Sequence, residues 1–178
     1  MFDKILLNLF GGKSMPTLTT GKTAPPIELT NTEGKSYSLK SALAQGPVLT
    51  AFFKVSCPTC QFTLPFLERL HQQFRGKNVQ VWGVSQDSER DTQQFAREYG
   101  VTFPILIDKD HYATSRGYGL EYVPTVFLIG QDGRIEISGE GFCKADLLGI
   151  QASLSRTLSA APGELFKSGE KIPEYKPG

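Results

Sequence analysis

The amino-acid sequence predicts an α/β fold in which a central mixed β-sheet is flanked by helices on both faces. Along residues 48–158, short apolar segments typical of buried strands alternate with longer segments in which apolar residues recur at helical spacing. Hairpin signals occur near residues 27–39 and at residues 124–138. A chain of 178 residues suits one domain with its own core.

The first half of the chain predicts a hairpin, a short helical turn, a buried strand and a longer helix. The hairpin has Gly34 at its turn, and one helical turn follows at residues 39–44. Residues 48–53 form the strand, and apolar residues at helical spacing continue to about Arg75. Pro65 falls inside this helix, where we expect a kink because proline removes one backbone hydrogen bond.

The second half predicts a regular succession of strands and helices. In order, these are a strand at 79–85, a helix at 88–99, a strand at 103–107, a helix at 108–116, a hairpin at 124–138 and a helix at 144–158. Ser88 is a good N-cap for the first of these helices, and Gly100 is a good end signal.

Composition divides the chain into an N-terminal arm at residues 1–20, one domain at 21–158 and a tail at 159–178. The tail is rich in Gly, Pro and Lys, and we expect it to be mobile. The apolar start of the arm is short, carries an acid at position 3 and lacks the pattern of a secretory signal. We therefore expect a cytoplasmic location, with a periplasmic or exported one as the alternative if this chain lacks its natural leader.

Charge and composition exclude several classes of function. The net charge is +1 and the basic residues are scattered, so nothing favours nucleic acid as a partner. No segment approaches the roughly 20 apolar residues of a membrane span, so we expect no stable membrane insertion. Three cysteines are too few, and odd in number, for a disulfide framework.

The tetrapeptide Cys57-Pro58-Thr59-Cys60 is the strongest functional signal. It lies where the predicted strand ends and the predicted helix begins. A helix N-terminus carries partial positive charge and unpaired N–H groups, and both favour a thiolate over a thiol. Cys60 falls in the first turn of the helix and faces the same way as Cys57. Two sulfurs at this spacing can close and reopen a disulfide, which makes a redox switch.

Two other interpretations of this pair stay open. Together with Cys143 and a histidine, the pair has enough ligands for tetrahedral zinc, although no second close-spaced ligand pair occurs. The pair could also be inert and buried. The position between strand and helix favours the redox interpretation, and we expect no metal at this pair. Cys143 we expect to be a small buried hydrophobic residue.

Three segments carry a resemblance to known proteins: residues 21–29, residues 52–60 and residues 122–129 before Gly133. Together they resemble the redoxin group of the thioredoxin fold (AhpC/TSA-like), and most of all the TlpA/ResA-type thiol:disulfide oxidoreductases. The resemblance spans residues 21 to about 158. It implies a thioredoxin-like fold with an N-terminal β-hairpin and an inserted αβ unit.

The resemblance implies a mechanism. Cys57 is expected to be the exposed nucleophile that forms a mixed disulfide with a protein substrate, and Cys60 the resolving thiol. The partners would be protein dithiols or disulfides and a reductant or oxidant, and the protein would act as a monomer. No organic cofactor or metal is expected, because the Cys57–Cys60 disulfide itself carries the electrons.

The match at Val123-Pro124-Thr125 implies a cis proline beside the redox pair. Proline lowers the cost of a cis peptide bond to roughly 0.5–1 kcal/mol and donates no N–H. Residue 123 could then offer its backbone to a bound peptide as an added strand. The expected substrate-binding residues are Pro58, Thr59, Val123, Pro124 and Thr125.

The chain also departs from the family pattern. Ala51 stands where thioredoxins have a buried aspartate, and Thr63 stands where some TlpA-type proteins have an acid. No acid is therefore assigned for proton transfer. Lys54 is either a source of positive charge near the thiolate or a solvated lysine at a strand end.

Two alternative functions remain at this point. Peroxiredoxins use the pattern P-x-x-x-T-x-x-C, but position 54 is Lys and position 50 is Thr, so the pattern is absent before Cys57. A non-catalytic redox sensor or peptide-binding module is the second alternative. Repeated turnover on insulin disulfides distinguishes an enzyme from a sensor, which reacts once.

Overall fold

The computed structural model describes residues 16–178, so the apolar start of the predicted arm lies outside the described residues. The helices and strands follow in this order: β1 (Glu28–Thr30), β2 (Ser36–Ser38), α1 (Leu39–Leu43), β3 (Val48–Phe53), α2 (Pro58–Gln73), β4 (Gln80–Ser85), α3 (Glu89–Tyr99), β5 (Ile105–Ile107), α4 (Ala113–Gly117), β6 (Thr125–Ile129), β7 (Ile135–Glu140), β8 (Phe142–Cys143), α5 (Lys144–Thr157) and β9 (Tyr175–Lys176).

Five strands form one mixed sheet in the order β5-β4-β3-β6-β7. The strand β3 lies at its centre, parallel to β4 and antiparallel to β6. The pair β1–β2 is the predicted N-terminal hairpin. Between β4 and β6 in the sequence, the chain adds the helix α3 and the strand β5, which pairs with β4 at the edge of the sheet. The mixed sheet and the hairpin agree with the fold that the sequence predicts.

The sheet has a hydrophobic core on each face because successive side chains of a strand point to opposite sides. From β3, Leu49 and Phe53 pack into the core that contains side chains of α2, α3 and α5. Val48 and Phe52 pack into the second core, with side chains of α1 and with Tyr118 just after α4. The central strand is thus buried on both faces, which explains its continuous apolar run.

The helix α4 begins later than predicted. The sequence pattern predicts a helix from Asp108, but the structure has α4 start at Ala113. The carboxylate of Asp108 accepts hydrogen bonds from the backbone N–H groups of Thr114 and Ser115, at 3.1 and 2.7 Å. It therefore satisfies N–H groups at the helix start, where no intrahelical acceptor exists.

The tail differs most from expectation. The sequence predicts a mobile segment from residue 159, but the structure packs it against α2 and β8. Leu165 is 2% exposed, and the ring of Phe166 contacts the rings of Phe66 and Phe142. The pair β8–β9 attaches the last residues. A few well-placed apolar side chains thus suffice for packing although the segment as a whole is polar.

No helix within residues 16–178 has both the length and the apolar character needed to cross a membrane.

Candidate active site

The two cysteines of the tetrapeptide lie at the start of α2. Cys57 is the N-cap residue of this helix, and its Sγ accepts a hydrogen bond from the backbone N–H of Cys60 at 3.2 Å. Pro58 occupies the first helical turn, where its missing N–H costs nothing. Both cysteines are free thiols in this structure. The sequence-predicted junction of strand and helix therefore places both sulfurs at one helix end.

The two thiols differ sharply in environment. Cys57 is partly exposed, whereas Cys60 is 0% exposed. Burial raises the pKa of the Cys60 thiol far above its ordinary value, and a hydrogen bond with Cys57 and the negative charge of Asp87 add to the effect. A hydrogen bond with the backbone of Lys54 acts in the opposite direction. Cys60 therefore stays protonated at neutral pH, and Cys57 is the sulfur that a substrate can reach.

The segment before β6 comes to lie beside Cys57. The peptide bond between Val123 and Pro124 is cis. The thiol of Cys57 donates a hydrogen bond to the carbonyl oxygen of Val123 at 3.4 Å. The antiparallel pairing of β3 with β6, in which Phe52 lies opposite Thr125, brings the two segments together. The predicted proximity of residues 57 and 123–124 is thus present in the structure.

Hydrogen bonds hold this segment in place from both sides. The hydroxyl of Thr125 donates to the carbonyl oxygen of Tyr122 at 2.8 Å. The N–H of Gly141 donates to the carbonyl oxygen of Pro124 at 2.8 Å. Gly141 has a φ of +71°, a left-handed conformation that glycine adopts without strain. The carbonyl of Val123 is therefore presented by a well-supported backbone.

Pro58 and Thr59, the two residues between the cysteines, have opposite exposure. Pro58 is exposed, whereas Thr59 is 8% exposed. The hydroxyl of Thr59 donates a 2.6 Å hydrogen bond to the carbonyl oxygen of Pro177 in the tail. The tail therefore covers part of the surface next to Cys57, which the sequence pattern did not indicate.

Asp87 is a site residue that sequence reasoning missed. It follows the end of β4, the strand parallel to β3, and its Oδ2 accepts a hydrogen bond from the backbone N–H of Val55 at 2.8 Å. Its charge also raises the pKa of Cys60. The available signal was an acid just beyond the carboxyl end of the strand next to the cysteine-bearing one, where parallel strands bring side chains to a common edge.

The remaining candidate residues from the sequence make no contact with either sulfur that assigns them a role. Ala51 and Thr63 are buried. Lys54 is exposed, and its Nζ lies 5.9 Å from the centre of the Tyr112 ring. Cys143 is partly buried and occupies the N-cap position of α5, without a capping hydrogen bond from its side chain. Within residues 16–178, no group of three or more His, Cys, Asp or Glu side chains is arranged to hold a metal ion.

Comparison with known proteins gives consistent matches. Residues 20–138 match the model of the AhpC/TSA family. The thiol-disulfide oxidoreductase ResA of Bacillus thuringiensis (strain Al Hakam) is 32% identical over 123 residues, which are 67% of this chain and 70% of the relative.

Solved structures agree. The structure assigned to the thiol:disulfide interchange protein DsbE from Chlorobium tepidum superposes with a TM-score of 0.70 at 25% identity, covering 80% of this chain and 99% of the other. The thioredoxin domain of a thiol-disulfide oxidoreductase from Bacteroides vulgatus has a TM-score of 0.68 at 24% identity, with coverage of 78% and 99%. The predicted thioredoxin-like fold is therefore confirmed.

Proposed function

Because this chain belongs to the AhpC/TSA family, we propose that its Cys57–Cys60 pair exchanges electrons with protein substrates through a mixed disulfide. The chain is a thiol-disulfide oxidoreductase, like the relatives that it resembles at 32% identity. One observation carries the assignment of roles within the pair. A partly exposed thiol and a fully buried one share the first turn of α2.

The first step is attack by Cys57 on a substrate disulfide. The thiolate of Cys57 forms a bond with one substrate sulfur, the substrate S–S bond breaks, and the other substrate sulfur leaves as a thiolate that takes up a proton. Access supports this role, because Cys57 is partly exposed while Cys60 is 0% exposed. The Cys57 thiol also donates a hydrogen bond to the carbonyl of Val123, in the segment just before β6.

The second step is resolution by Cys60. Its thiol loses a proton and attacks Cys57 Sγ, so that the Cys57–Cys60 disulfide forms and the second substrate sulfur leaves, taking up a proton. The substrate has then gained two electrons and two protons, and the enzyme has lost them. Burial raises the pKa of Cys60, which keeps this thiol unreactive until a mixed disulfide on Cys57 is in contact with it.

The reverse sequence oxidises a substrate dithiol. The direction depends on the potential of the pair relative to its compartment, because a reducing cytoplasm keeps the pair as a dithiol and an exported location favours the disulfide. The cycle requires a second thiol partner that resets the pair. It needs no organic cofactor or metal, since the two sulfurs carry the electrons.

Protein thiols are the substrates of this enzyme class, and we propose that the protein meets them as a monomer. Within residues 16–178, the large exposed hydrophobic side chains are Tyr112, Tyr122, Leu148 and Tyr175. Four such side chains are few for a stable dimer interface, which is usually enriched in buried aromatic and aliphatic residues.

Redox titration tests the proposal. We expect reversible disulfide formation between Cys57 and Cys60 in glutathione buffers, read by mass after thiol labelling, with a potential between about −270 and −120 mV. Repeated reduction of insulin disulfides should follow. A pair that stays reduced in every buffer, or that binds zinc stoichiometrically, contradicts the proposal. A single turnover indicates the sensor, and catalytic loss of peroxide indicates a peroxidase.

A further inference from the structure

The last residues of the tail lie beside Cys57, against Thr59 and Val123. We name residues 174–178 the strap. Their strand β9 pairs antiparallel with β8, with Tyr175 opposite Cys143 and Lys176 opposite Phe142. The backbone N–H of Lys144 donates to the carbonyl oxygen of Glu174 at 3.0 Å. The strap is thus bound as an added strand on a short strand edge next to the active site.

The strap also hydrogen-bonds to one polar group beside the reactive thiol and packs against another. The hydroxyl of Thr59 donates to the carbonyl oxygen of Pro177 at 2.6 Å. Gly178 packs so closely on Val123 that a Cβ at this position would overlap with the Val123 carbonyl oxygen. This carbonyl is the group to which the Cys57 thiol donates. The strap therefore touches the residues on both sides of Cys57.

We propose that the strap occupies the peptide groove of the enzyme as an intramolecular ligand, and that an extended segment of a substrate protein must displace it to reach Cys57. The inference rests on the proposed function in one respect, namely that Cys57 is the residue whose sulfur reacts with the substrate. An incoming backbone that pairs with β8 and accepts from Thr59 would need the space of the strap, and both cannot be bound at once.

The sequence of the groove and strap is suited to close backbone contact. A Cβ at Gly141 would overlap with the carbonyl oxygen of Lys176, and Gly141 is buried with a φ of +71°. Gly178 contacts Val123 in the same way from the other side. Glycine therefore stands at two points where the backbones of the strap and the groove lie close together.

The strap can detach without unfolding the rest of the tail. Residues upstream of it have their own attachment, because Leu165 is buried and the guanidinium of Arg69 donates to the carboxylate of Glu170 at 2.8 Å. The strap itself is held by the two-residue pairing of β9 with β8 and by the hydrogen bonds from Thr59 and Lys144. In addition, the Lys176 ammonium lies 4.7 Å from the centre of the Phe62 ring. Weakly attached surface segments of this kind open with small free energies.

The geometry also indicates the class of substrate. A ligand that replaces the strap is an extended peptide that pairs through its backbone with β8 and places a carbonyl oxygen at Thr59. A small thiol-reactive reagent needs no such pairing and can approach the partly exposed Cys57 directly. The strap should therefore slow reactions with large or peptide-like reagents more than reactions with small ones.

Alkylation of Cys57 tests the proposal on the reduced full chain. We would compare wild type with Gly178→Val, which forces a side chain against the Val123 carbonyl, and with Tyr175→Gly/Lys176→Gly, which weakens β9. Lys171→Ala, an exposed tail substitution outside the strap, is the matched control. Rates with iodoacetamide and with a bulky maleimide are read by peptide mapping, which separates Cys57 from Cys143.

We expect both strap variants to raise the rate of Cys57 with the bulky maleimide roughly 3- to 10-fold, the range for losing one or two surface hydrogen bonds of the closed state. The iodoacetamide rate should rise less, and the control should match wild type. Unchanged maleimide rates in either variant with a wild-type circular dichroism spectrum overturn the proposal.

The alkylation readout is independent of turnover. If the protein reduces no disulfide but the strap variants are alkylated faster, the proposed function is wrong and the proposal about the strap stands. If the protein reduces insulin repeatedly but all variants are alkylated at the same rate, the proposed function stands and the proposal about the strap is wrong.

Discussion

The thiol of Cys57 lies 3.4 Å from the carbonyl oxygen of Val123, 66 residues further along the chain. The antiparallel pairing of β3 with β6 creates this contact at the end of the sheet where β3 ends and β6 begins. The reactive sulfur and a backbone carbonyl thus lie side by side, and Gly178 packs against this carbonyl. A substrate that reached Cys57 by displacing the strap would also meet the carbonyl.

The first prediction concerns the unequal roles of the two sulfurs. Cys57→Ser should abolish insulin reduction, whereas Cys60→Ser should accumulate mixed disulfides with protein partners, because its buried thiol is the group that resolves them. Non-reducing gels and mass spectrometry of the trapped species measure this. Cys143→Ser is the control and should keep full activity. Faster alkylation at Cys60 than at Cys57 in the reduced protein would reverse the assignment.

The second prediction concerns Asp87. Its negative charge contributes to the raised pKa of Cys60, so Asp87→Asn should lower this pKa, while the Asn side-chain oxygen can still accept a hydrogen bond from the N–H of Val55. A larger thiolate fraction at Cys60 speeds its attack on a mixed disulfide at Cys57, so a chromophoric thiol held in that mixed disulfide should be released faster at neutral pH than in wild type. Asp91→Asn, a change on the exposed side of α3, should release the thiol at the wild-type rate. An unchanged release rate for Asp87→Asn would mean that its charge does not act on Cys60.

The third prediction concerns the hydroxyl of Thr59. Thr59→Val keeps the shape of the side chain and removes the donor to Pro177, so the strap should open more often. The amide of Lys144 reports this opening, because it is at the first position of α5 and its acceptor is the carbonyl oxygen of Glu174.

Hydrogen exchange measured by NMR gives the size of this effect. Loss of one net hydrogen bond, about 1 kcal/mol, corresponds to roughly 5-fold faster exchange at Lys144. Thr59→Ser retains the hydroxyl and should restore slow exchange. Equal exchange in the Val and Ser variants would show that the Thr59 hydrogen bond does not hold the strap.

The fourth prediction concerns the pH dependence of tail attachment. Hydrogen bonds from Arg69, and then from the backbone of Lys167, lower the pKa of Glu170 from 4.5 to about 2. Because the folded-state pKa is depressed, the stabilisation is present above about pH 4.5 and is lost as the pH falls towards 2. The charged pair therefore contributes to stability at neutral pH and not in strong acid.

Urea unfolding at several pH values checks this sign. Glu170→Gln should be less stable than wild type at neutral pH, and the difference should shrink as the pH falls from 4.5 towards 2. The effect should be small, because the side chains of Arg69 and Glu170 are each 28% exposed and water screens the pair. Glu33→Gln, at the exposed hairpin turn, is the control. A difference that grows in acid would contradict the assignment.

Sequence reasoning succeeded where the signal is local. The apolar run at residues 48–53 and the helical spacing after Cys60 determine a strand followed by a helix, and these two elements place both cysteines at one helix end. The hairpin around Gly34 and the strand–helix alternation are likewise written in short windows of sequence. Such patterns show which faces of a helix or strand are buried, and they can be seen within a few neighbouring residues.

Sequence reasoning missed two contacts between distant segments, one made by the tail and one made by Asp87. Nothing in the polar composition of the tail indicates that Pro177 would accept a hydrogen bond from Thr59, 118 residues earlier. Asp87 is an ordinary loop acid until the parallel pairing of β3 and β4 brings it to the backbone of Val55. The order of the strands in the sheet, rather than any local propensity, selects these partners.

The sequence by itself determined the redox pair, its position between strand and helix, and the α/β class, because periodicity and turn chemistry act within a few residues. Only the tertiary structure decided that Cys60 is buried, that Asp87 acts on it and that the strap lies against Thr59 and Val123 beside Cys57. These properties depend on which surfaces exclude water from one another. That exclusion arises when segments far apart in the chain pack together, so no single stretch of sequence contains it.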